Sequence, residues 1–219
     1  MTFYTVCRGA MIAAASLSLS ACLGSSGGSS GGGSGTGGGG APSMSAFDAK
    51  IADIQTTPPS SVKLTGAFDY AGETLLKTQD DTGSDNGFVL GDVTARLDFD
   101  SETATAEVGN LRGEVDGTAF ALTGTLDTDN AVGGTIGAAT TTVPGVGDIT
   151  TTAVSLNVEG TLSNEATSDT ADVTLLLGGS VLGNDARAVT GAAVAAGTSL
   201  NGKLGLQNFG GGQFYLEKK

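Results

Sequence analysis

Alternation of apolar and polar residues is the feature that most restricts how this chain can fold. Residues 93–99, VTARLDF, place an apolar side chain at every second position, and residues 104–108, ATAEV, repeat the pattern after a polar turn. A two-residue period puts every second side chain on one face of a β-strand, whereas a helical face needs a period near 3.6 residues. The chain is therefore predicted to consist mainly of strands with one buried and one solvent-exposed face.

Further strand-like runs are separated by short turn signals. Asp116-Gly117 lies between two such runs and predicts a tight hairpin, because Gly adopts positive φ without strain. Residues 173–177 are more uniformly apolar, which predicts a strand buried on both faces or close to a barrel seam. The predicted strands are residues 62–70, 88–90, 93–99, 104–108, 114–120, 154–158, 173–177, 192–195, 200–206 and 213–217. Strands in this number, about eight to ten, and at this spacing predict an all-β fold, an antiparallel up-and-down sheet or barrel.

Composition argues against extensive helix. The chain contains 37 glycines, and a Gly in a helix interior costs about 1 kcal/mol relative to Ala. Residues 45–54 alone show helical spacing, through Phe47, Ile51 and Ile54, before a Pro-Pro pair ends the pattern. One short helix is therefore predicted ahead of the barrel.

The predicted barrel has a narrow interior that its own side chains fill. Inward positions are mostly Ala, Val and Leu with a few Phe, whereas a wide ligand cavity would usually need larger aromatic residues. Closure of the sheet also removes the unpaired edges along which strands aggregate. Outward positions carry acidic residues, while a transmembrane barrel needs a continuous apolar band outside. A closed and filled barrel that does not span a membrane is therefore predicted.

Two shorter patterns predict local structure. Residues 143–147, VPGVG, match one elastin-like repeat, and a single copy predicts a turn. Residues 209–215 bring three aromatic side chains together around glycines. They predict the strand that closes the barrel, with an exposed aromatic contact as the alternative.

Residues 1–21 have the pattern of a secretory signal. A head with one positive charge, Arg8, precedes an apolar stretch at residues 10–19, which is shorter than the about 20 residues that span a bilayer. The end of this segment, Leu19-Ser20-Ala21-Cys22, resembles the lipobox of bacterial lipoproteins, in which the cysteine thiol takes up diacylglycerol. We therefore expect residues 1–21 to be removed and Cys22 to carry lipid, including palmitate. An ordinary cleavage site that precedes a cysteine is the alternative.

The residues after Cys22 predict where the protein is sorted and how it is held. Leu23 stands where an aspartate would be the usual signal for retention in the inner membrane, so we expect an outer-membrane lipoprotein at the cell surface. Residues 24–40 are all Gly, Ser or Thr and predict a flexible tether with a mean span of roughly 20–25 Å. The predicted domains are a signal peptide (1–21), the lipidated cysteine and tether (22–44) and the barrel (45–219).

The net charge of −13 and the absence of histidine exclude several classes of function. A chain this acidic does not bind nucleic acid or anionic lipid through its overall field. Catalytic triads that depend on His are impossible, and Cys7 lies inside the signal. Asp98 and Asp100 are predicted to share a strand and point the same way, which favours a solvated strand edge over a general acid and base. We expect a protein that is not an enzyme.

One loop carries carboxylates that suggest a metal site. Asp80, Asp81 and Asp85 lie within residues 80–87, where their oxygens and a glycine turn suit calcium. The spacing of an EF-hand loop and its terminal glutamate are missing, so a solvated hairpin loop is the favoured interpretation.

Haem binding would depend on unusual ligands. Haem is commonly held by His, which this chain lacks. Met44, Tyr70 and Tyr215 are the residues that could replace it. No cofactor is therefore predicted.

Residues 179–191, GSVLGNDARAVTG, resemble the hairpin signature of the transferrin-binding protein B barrel domain. Their first and last glycines, Gly183 and Ala186 match that signature in register, whereas Val181 and Leu182 stand where the family usually has aromatic residues, and its acidic position is replaced. Residues 93–99 resemble an earlier strand of the same domain. Related lipoproteins, including factor H-binding protein, share a lipobox, a Gly/Ser tether and an eight-stranded barrel.

The resemblance implies a surface lipoprotein that binds a soluble protein or an iron-bearing ligand. It assigns no ligand-contacting residue, because those residues vary with the ligand. Two other functions stay open: a structural lipoprotein whose barrel contacts another envelope component, and a binder of haem or a small molecule. The predicted partners are the membrane, through the lipid, and a host or environmental protein, and not nucleic acid.

Overall fold

The computed structural model describes residues 43–80, 82–128, 133–196 and 208–219. One helix and a ten-stranded sheet account for most of them. The elements are α1 (Met44–Ile54), β1 (Ala67–Gln79), β2 (Asp85–Asp98), β3 (Thr103–Val115), β4 (Thr118–Leu122), β5 (Leu126–Asp127), β6 (Gly134–Val143), β7 (Gly147–Asn164), β8 (Asp169–Leu182), β9 (Ala188–Ala196) and β10 (Asn208–Lys218). The predicted signal, Cys22, the tether up to residue 42 and the predicted strand 200–206 lie outside the described residues.

The strands form one closed antiparallel ring. β1 pairs with β2, β2 with β3, β7 with β8, β8 with β9 and β9 with β10, and β10 returns to β1. The position between β3 and β7 is shared by β4, β5 and β6, which follow one another along β3: Leu122 lies opposite Leu111, and Gly134 lies opposite Ala104. The ring has eight strand positions, which confirms the predicted up-and-down barrel.

A single cluster of buried side chains occupies the barrel interior. Leu97, Val108, Leu156, Leu175 and Leu216 come from five different strands, and none of them is exposed to solvent. Alternation along each strand delivers these residues to the same side, as the two-residue period predicts. The interior is filled mainly by aliphatic side chains, with Tyr70, Phe99 and Phe214 among them, as expected from the mostly small inward residues.

The prediction that residues 173–177 are buried on both faces is wrong. Val173, Leu175 and Leu177 point inward and are buried, but Leu176 is 45% exposed on the outer face of β8. The run is apolar at every position except Thr174, yet its geometry is that of an ordinary strand with one covered face.

The first predicted strand, 62–70, is also misplaced, because β1 begins at Ala67. The chain before it runs beside the end of β8 instead. Pro59 forms a β-bridge with Leu182, and the Ser60 N–H donates to the Val181 carbonyl at 3.0 Å. These hydrogen bonds to a distant strand cannot be read from the local pattern.

The predicted strands 88–90 and 93–99 are two parts of β2. The pairing of β2 with β3 is irregular between Leu90 and Asp92, so the apolar and polar alternation changes phase at that point. The interruption in the sequence pattern therefore marks an irregularity within one strand and not a turn.

The predicted helix is confirmed as α1, which packs on the outside of the barrel. Phe47, Ile51 and Ile54 form a second buried cluster with outward-facing side chains of the barrel wall: Leu75, Leu90, Leu182, Ala188 and Tyr215. The Phe47 and Tyr215 rings have centroids 5.5 Å apart. An exposed wall would not retain so many apolar residues, and α1 covers them.

Close strand approach explains some of the glycines. A Cβ added at Gly191 would meet the main chain of Gly178 and Gly179 on the neighbouring strand. By contrast, a Cβ at Gly137 on β6 would have no neighbour within 4 Å. Glycine is thus sterically required at position 191 in the ring and not at position 137 of β6.

The predicted turns are confirmed. Asp116 and Gly117 have φ of 51° and 76° and join β3 to β4. Residues 143–147 turn between β6 and β7, with φ of 82° at Gly145. The predicted strands 192–195 and 213–217 lie within β9 and β10, and β10 closes the ring with Phe214 inside and Tyr215 under α1. No helix within the described ranges is both long and apolar enough to cross a membrane.

Candidate functional site

Charged side chains concentrate on the outer face of β1, β2 and β3. Every second residue of these strands faces outward. The outward charged residues include Asp69 and Glu73 on β1, Asp92 and Arg96 on β2, and Glu107 and Arg112 on β3. Cross-strand register decides which of them meet, because directly opposite residues are the closest neighbours on a sheet face.

One charged cluster braces four strands around Arg112. Glu73 and Asp92 lie directly opposite each other, a like-charge arrangement that destabilises a sheet. Arg112 bridges them, with Nη2 3.0 Å from Glu73 Oε1 and Nη1 2.8 Å from Asp92 Oδ1. Asn110 Nδ2 donates to Asp92 Oδ2 at 2.8 Å, and the Tyr215 hydroxyl donates to Glu73 Oε2 at 2.9 Å. The cluster satisfies its own polar atoms and ties β1, β2, β3 and β10 together.

A solvent-open hollow of about 590 Å³ lies on the same wall. It is lined by Asp69, Tyr70, Thr94, Ala95, Arg96, Thr105, Ala106, Glu107, Asp127, Thr128 and Lys219. Register places its charges in two adjacent rows: Arg96 is opposite Asp69, and Glu107 is opposite both Thr94 and Asp127. The hollow therefore combines carboxylates, cations and hydroxyls in one polar concavity.

The ion pair at the rim of this hollow is available to solvent. Arg96 Nη1 lies 3.0 Å from Asp69 Oδ1, and both side chains are more than half exposed. An exposed ion pair contributes only about 0–1 kcal/mol to stability, so its members can exchange partners at little cost. The arrangement is suited to hydrogen bonds and ion pairs with the polar surface of a ligand.

Two of the three carboxylates of the candidate calcium loop, those of Asp80 and Asp85, are engaged at the β1–β2 turn. Asp80 Oδ1 accepts hydrogen bonds from the Thr82 N–H at 2.8 Å and the Ser84 N–H at 2.9 Å. Asp85 Oδ2 pairs with Lys77 Nζ at 2.7 Å. Asp81 lies outside the described residues, among which no three His, Cys, Asp or Glu side chains form a group able to hold a metal. Hydrogen bonds from the Thr82 hydroxyl and the turn N–H groups lower the pKa of Asp80.

The three candidate haem ligands lie in different environments. Met44 is on the exposed first turn of α1. Tyr70 is buried in the barrel interior, where its hydroxyl donates to the Ala186 carbonyl at 2.8 Å. Tyr215 lies outside the barrel, beneath α1. Burial raises the pKa of both tyrosines, so each hydroxyl stays a protonated donor. The structure does not bring the three residues together.

Asp98 and Asp100 do not share a strand, which corrects the prediction. β2 ends at Asp98, and Asp98 Oδ1 accepts hydrogen bonds from the N–H of Asp100 at 3.0 Å and of Ser101 at 3.1 Å. These bonds, above all the one from Ser101, lower the pKa of Asp98. By accepting these two N–H groups, the Asp98 carboxylate stabilises the β2–β3 turn, where the chain reverses.

The segment that carries the family resemblance forms a hairpin between β8 and β9. Gly179 and Gly191 lie opposite each other, and Gly183 and Ala186 adopt φ of 76° and 57° in the connecting loop. Val181 points into the interior and Leu182 packs beneath α1. The two positions where the family usually has aromatic residues are therefore buried on opposite sides of the wall.

The charged cluster and the hollow were not predicted from sequence. Glu73, Asp92 and Arg112 lie outside the strands predicted from the sequence, so the pattern shows neither which way they face nor that they meet. Their meeting depends on the irregular pairing between β2 and β3, which the sequence pattern alone does not give. The Asp69 and Arg96 pair depends on register in the same way.

No protein-family model, curated protein or solved structure matches this chain significantly. The functional proposal therefore depends on the geometry described above and on the sequence motifs.

Proposed function

We propose that this protein is an outer-membrane surface lipoprotein whose barrel binds a soluble protein or an iron-carrying ligand. Its lipid is attached at Cys22, and residues 24–40 tether the barrel to the membrane. The lipobox-like motif, the Gly/Ser/Thr segment and the resemblance of residues 179–191 to the transferrin-binding protein B hairpin support this proposal.

The observation that carries the binding proposal is the contrast between the barrel interior and its outer wall. The interior is occupied by packed aliphatic side chains, so a ligand contacts this barrel from outside. The hollow beside the Asp69 and Arg96 pair offers polar groups on an accessible surface. Such a surface suits the polar exterior of a folded protein, since non-obligate interfaces are about as polar as the rest of a protein surface.

The anchor is tested by labelling cells with an alkyne analogue of palmitate. The wild-type chain should be labelled, and Cys22→Ser should abolish the label because its hydroxyl does not replace the thiol nucleophile. Cys7→Ser is the matched control and should be labelled like the wild type. Undiminished labelling of Cys22→Ser would refute the anchor.

The binding surface is tested by comparing two exposed ion pairs. The chain is immobilised and exposed to fluid from the organism's natural surroundings, and the retained protein is identified by mass spectrometry. Arg96→Ala should reduce its retention severalfold, because it removes the cation at the rim of the hollow. Lys77→Ala removes a cation of similar exposure from the pair with Asp85 and should leave retention unchanged.

Two results would contradict the proposal. Equal retention by Arg96→Ala and Lys77→Ala would show that the hollow is not part of the binding site. Protease added to intact cells should release the barrel; full protection, together with no retained soluble protein, would favour a structural lipoprotein that faces the periplasm.

A further inference from the structure

The β6–β7 hairpin extends beyond the closed part of the ring. β6 pairs with β7 from Thr135 to Val143, but with β3 only at Gly134 and Thr135. Across the part of the chain that the structure describes, no strand pairs with the other edge of residues 137–143. Closure of the barrel therefore does not extend to the end of this hairpin.

The direction of the main-chain groups on this edge follows from one hydrogen bond. The Ile136 N–H donates to the Glu102 carbonyl at 3.1 Å, on the side of β6 that faces away from β7. Because main-chain groups alternate along a strand, the N–H and C=O groups of Ala138, Thr140 and Thr142 point to that same side. These groups form a short row of donors and acceptors that only another extended main chain matches.

Among the residues that the structure describes, nothing gives this edge the usual protection against pairing. Proteins protect free edges with charged side chains, proline or irregular pairing. Residues 137–143 contain no charge and no proline, and their register with β7 is continuous. Another strand with limited pairing, β4, spans only Thr118–Leu122, and its hairpin carries Glu114 and Asp116.

We propose that β6 pairs with β6 of a second copy of this chain, antiparallel, about a two-fold axis at Thr140. In this register Thr140 lies opposite the same residue of the other copy, and Ala138 lies opposite Thr142. Every outward N–H and C=O then has a partner, because the row is self-complementary. The pairing ends where Glu102 and Thr103 already occupy the edge beside Ile136 and Thr135.

Charge favours a second copy at this edge and disfavours one elsewhere. The chain carries a net charge of −13, so two copies repel each other over most of their surfaces. Residues 137–147 carry no charge and project from the barrel; Asp148 lies on the far strand, where its carboxylate accepts a hydrogen bond from the Thr142 hydroxyl. Val146 at the hairpin tip is 72% exposed, and in the paired arrangement it lies against the other copy.

The paired dimer should be weak. Stable interfaces bury about 800 Å² per partner, whereas seven paired residues form a strip roughly 24 Å long at about 3.4 Å per residue. Dimerisation should therefore depend strongly on concentration. This interface is separate from the proposed hollow, so failure of one leaves the other unaffected.

Sedimentation velocity over a concentration series tests the dimer, using the full chain with Cys22→Ser to prevent acylation. Thr140→Pro should abolish the dimer, because it removes the central outward N–H and blocks the edge. It removes no hydrogen bond to β7. Thr140→Lys should weaken the dimer by placing two like charges face to face. Thr140→Val is the matched control, since it loses the hydroxyl contact with Thr150 but keeps the main chain, and it should dimerise like the parent.

Circular dichroism verifies that each variant keeps its sheet, and Thr140→Lys decides the question if Thr140→Pro does not fold. A concentration-dependent dimer that Thr140→Pro or Thr140→Lys removes, and Thr140→Val retains, supports the proposal. A chain that stays monomeric at every concentration, or a dimer that survives both disruptive substitutions, overturns it.

Discussion

The wall beneath α1 and the projecting β6–β7 hairpin differ in how their strand edges and outer side chains are covered. In the wall formed by β1, β9 and β10, every strand has two neighbours, and α1 covers the apolar outer side chains. In the hairpin, residues 137–143 have one described neighbour strand and exposed side chains over most of their length. A sheet that closes into a ring therefore still leaves part of one strand without a second neighbouring strand among the described residues.

Substitutions that point into the interior of the ring should be costly to stability, whereas equivalent substitutions on its outer face should not. Leu175→Asp should unfold the barrel, because an unpaired carboxylate in the interior costs several kcal/mol against a total stability of about 5–15 kcal/mol. Leu176→Asp, one residue away but exposed, should change stability by about 0.5 kcal/mol or less. Thermal unfolding followed by circular dichroism compares them, and similar losses in both would contradict the observed inward and outward alternation of β8.

Glycine substitutions give a second, smaller contrast between the ring and the hairpin. Gly191→Ala should destabilise the protein by about 1–3 kcal/mol, since the new methyl group meets the main chain of β8. Gly137→Ala meets nothing within 4 Å and should be neutral or stabilising by about 0.4–1 kcal/mol. Urea unfolding measures both, and equal destabilisation would show that the hairpin is as tightly packed as the ring.

The smallest expected effect is on the pH dependence of the turns in the ring. Hydrogen bonds to the Asp98 carboxylate hold its pKa below the unfolded value, which is about 3.9. Its contribution to stability is present above that unfolded value and is lost as pH falls through the lower folded pKa. Melting temperatures measured from about pH 5 down to about pH 2 should fall less steeply for Asp98→Asn than for wild type, and equal slopes would exclude this role.

Much of the barrel was predictable because a filled interior imposes a strict local rule. Inward residues such as Leu97 and Leu175 recur at every second position and are apolar. The local sequence therefore shows them without any knowledge of the neighbouring strands. The β6 strand was missed for the opposite reason. Both of its faces meet solvent near the hairpin end, so Ala and Thr replace the alternation.

The candidate sites were less predictable because they depend on register. The bridge from Arg112 to Glu73 and Asp92 joins three strands, and the position of each strand relative to the next is set by irregular pairing and turns far from the charged residues. The segment before β1 shows the same limit. Pro59 and Ser60 pair with the end of β8, more than a hundred residues away in sequence.

Residue-resolved amide hydrogen exchange at low and high protein concentration tests the unpaired β6 edge most directly. In dilute protein the amides of Ala138, Thr140 and Thr142 should exchange quickly, while those of Ala139 and Thr141, which face β7, should be protected. Raising the concentration should protect the first group as copies pair, and leave the second group unchanged. Protection of Ala138, Thr140 and Thr142 in dilute monomer, or their continued rapid exchange in a dimer, would contradict the account.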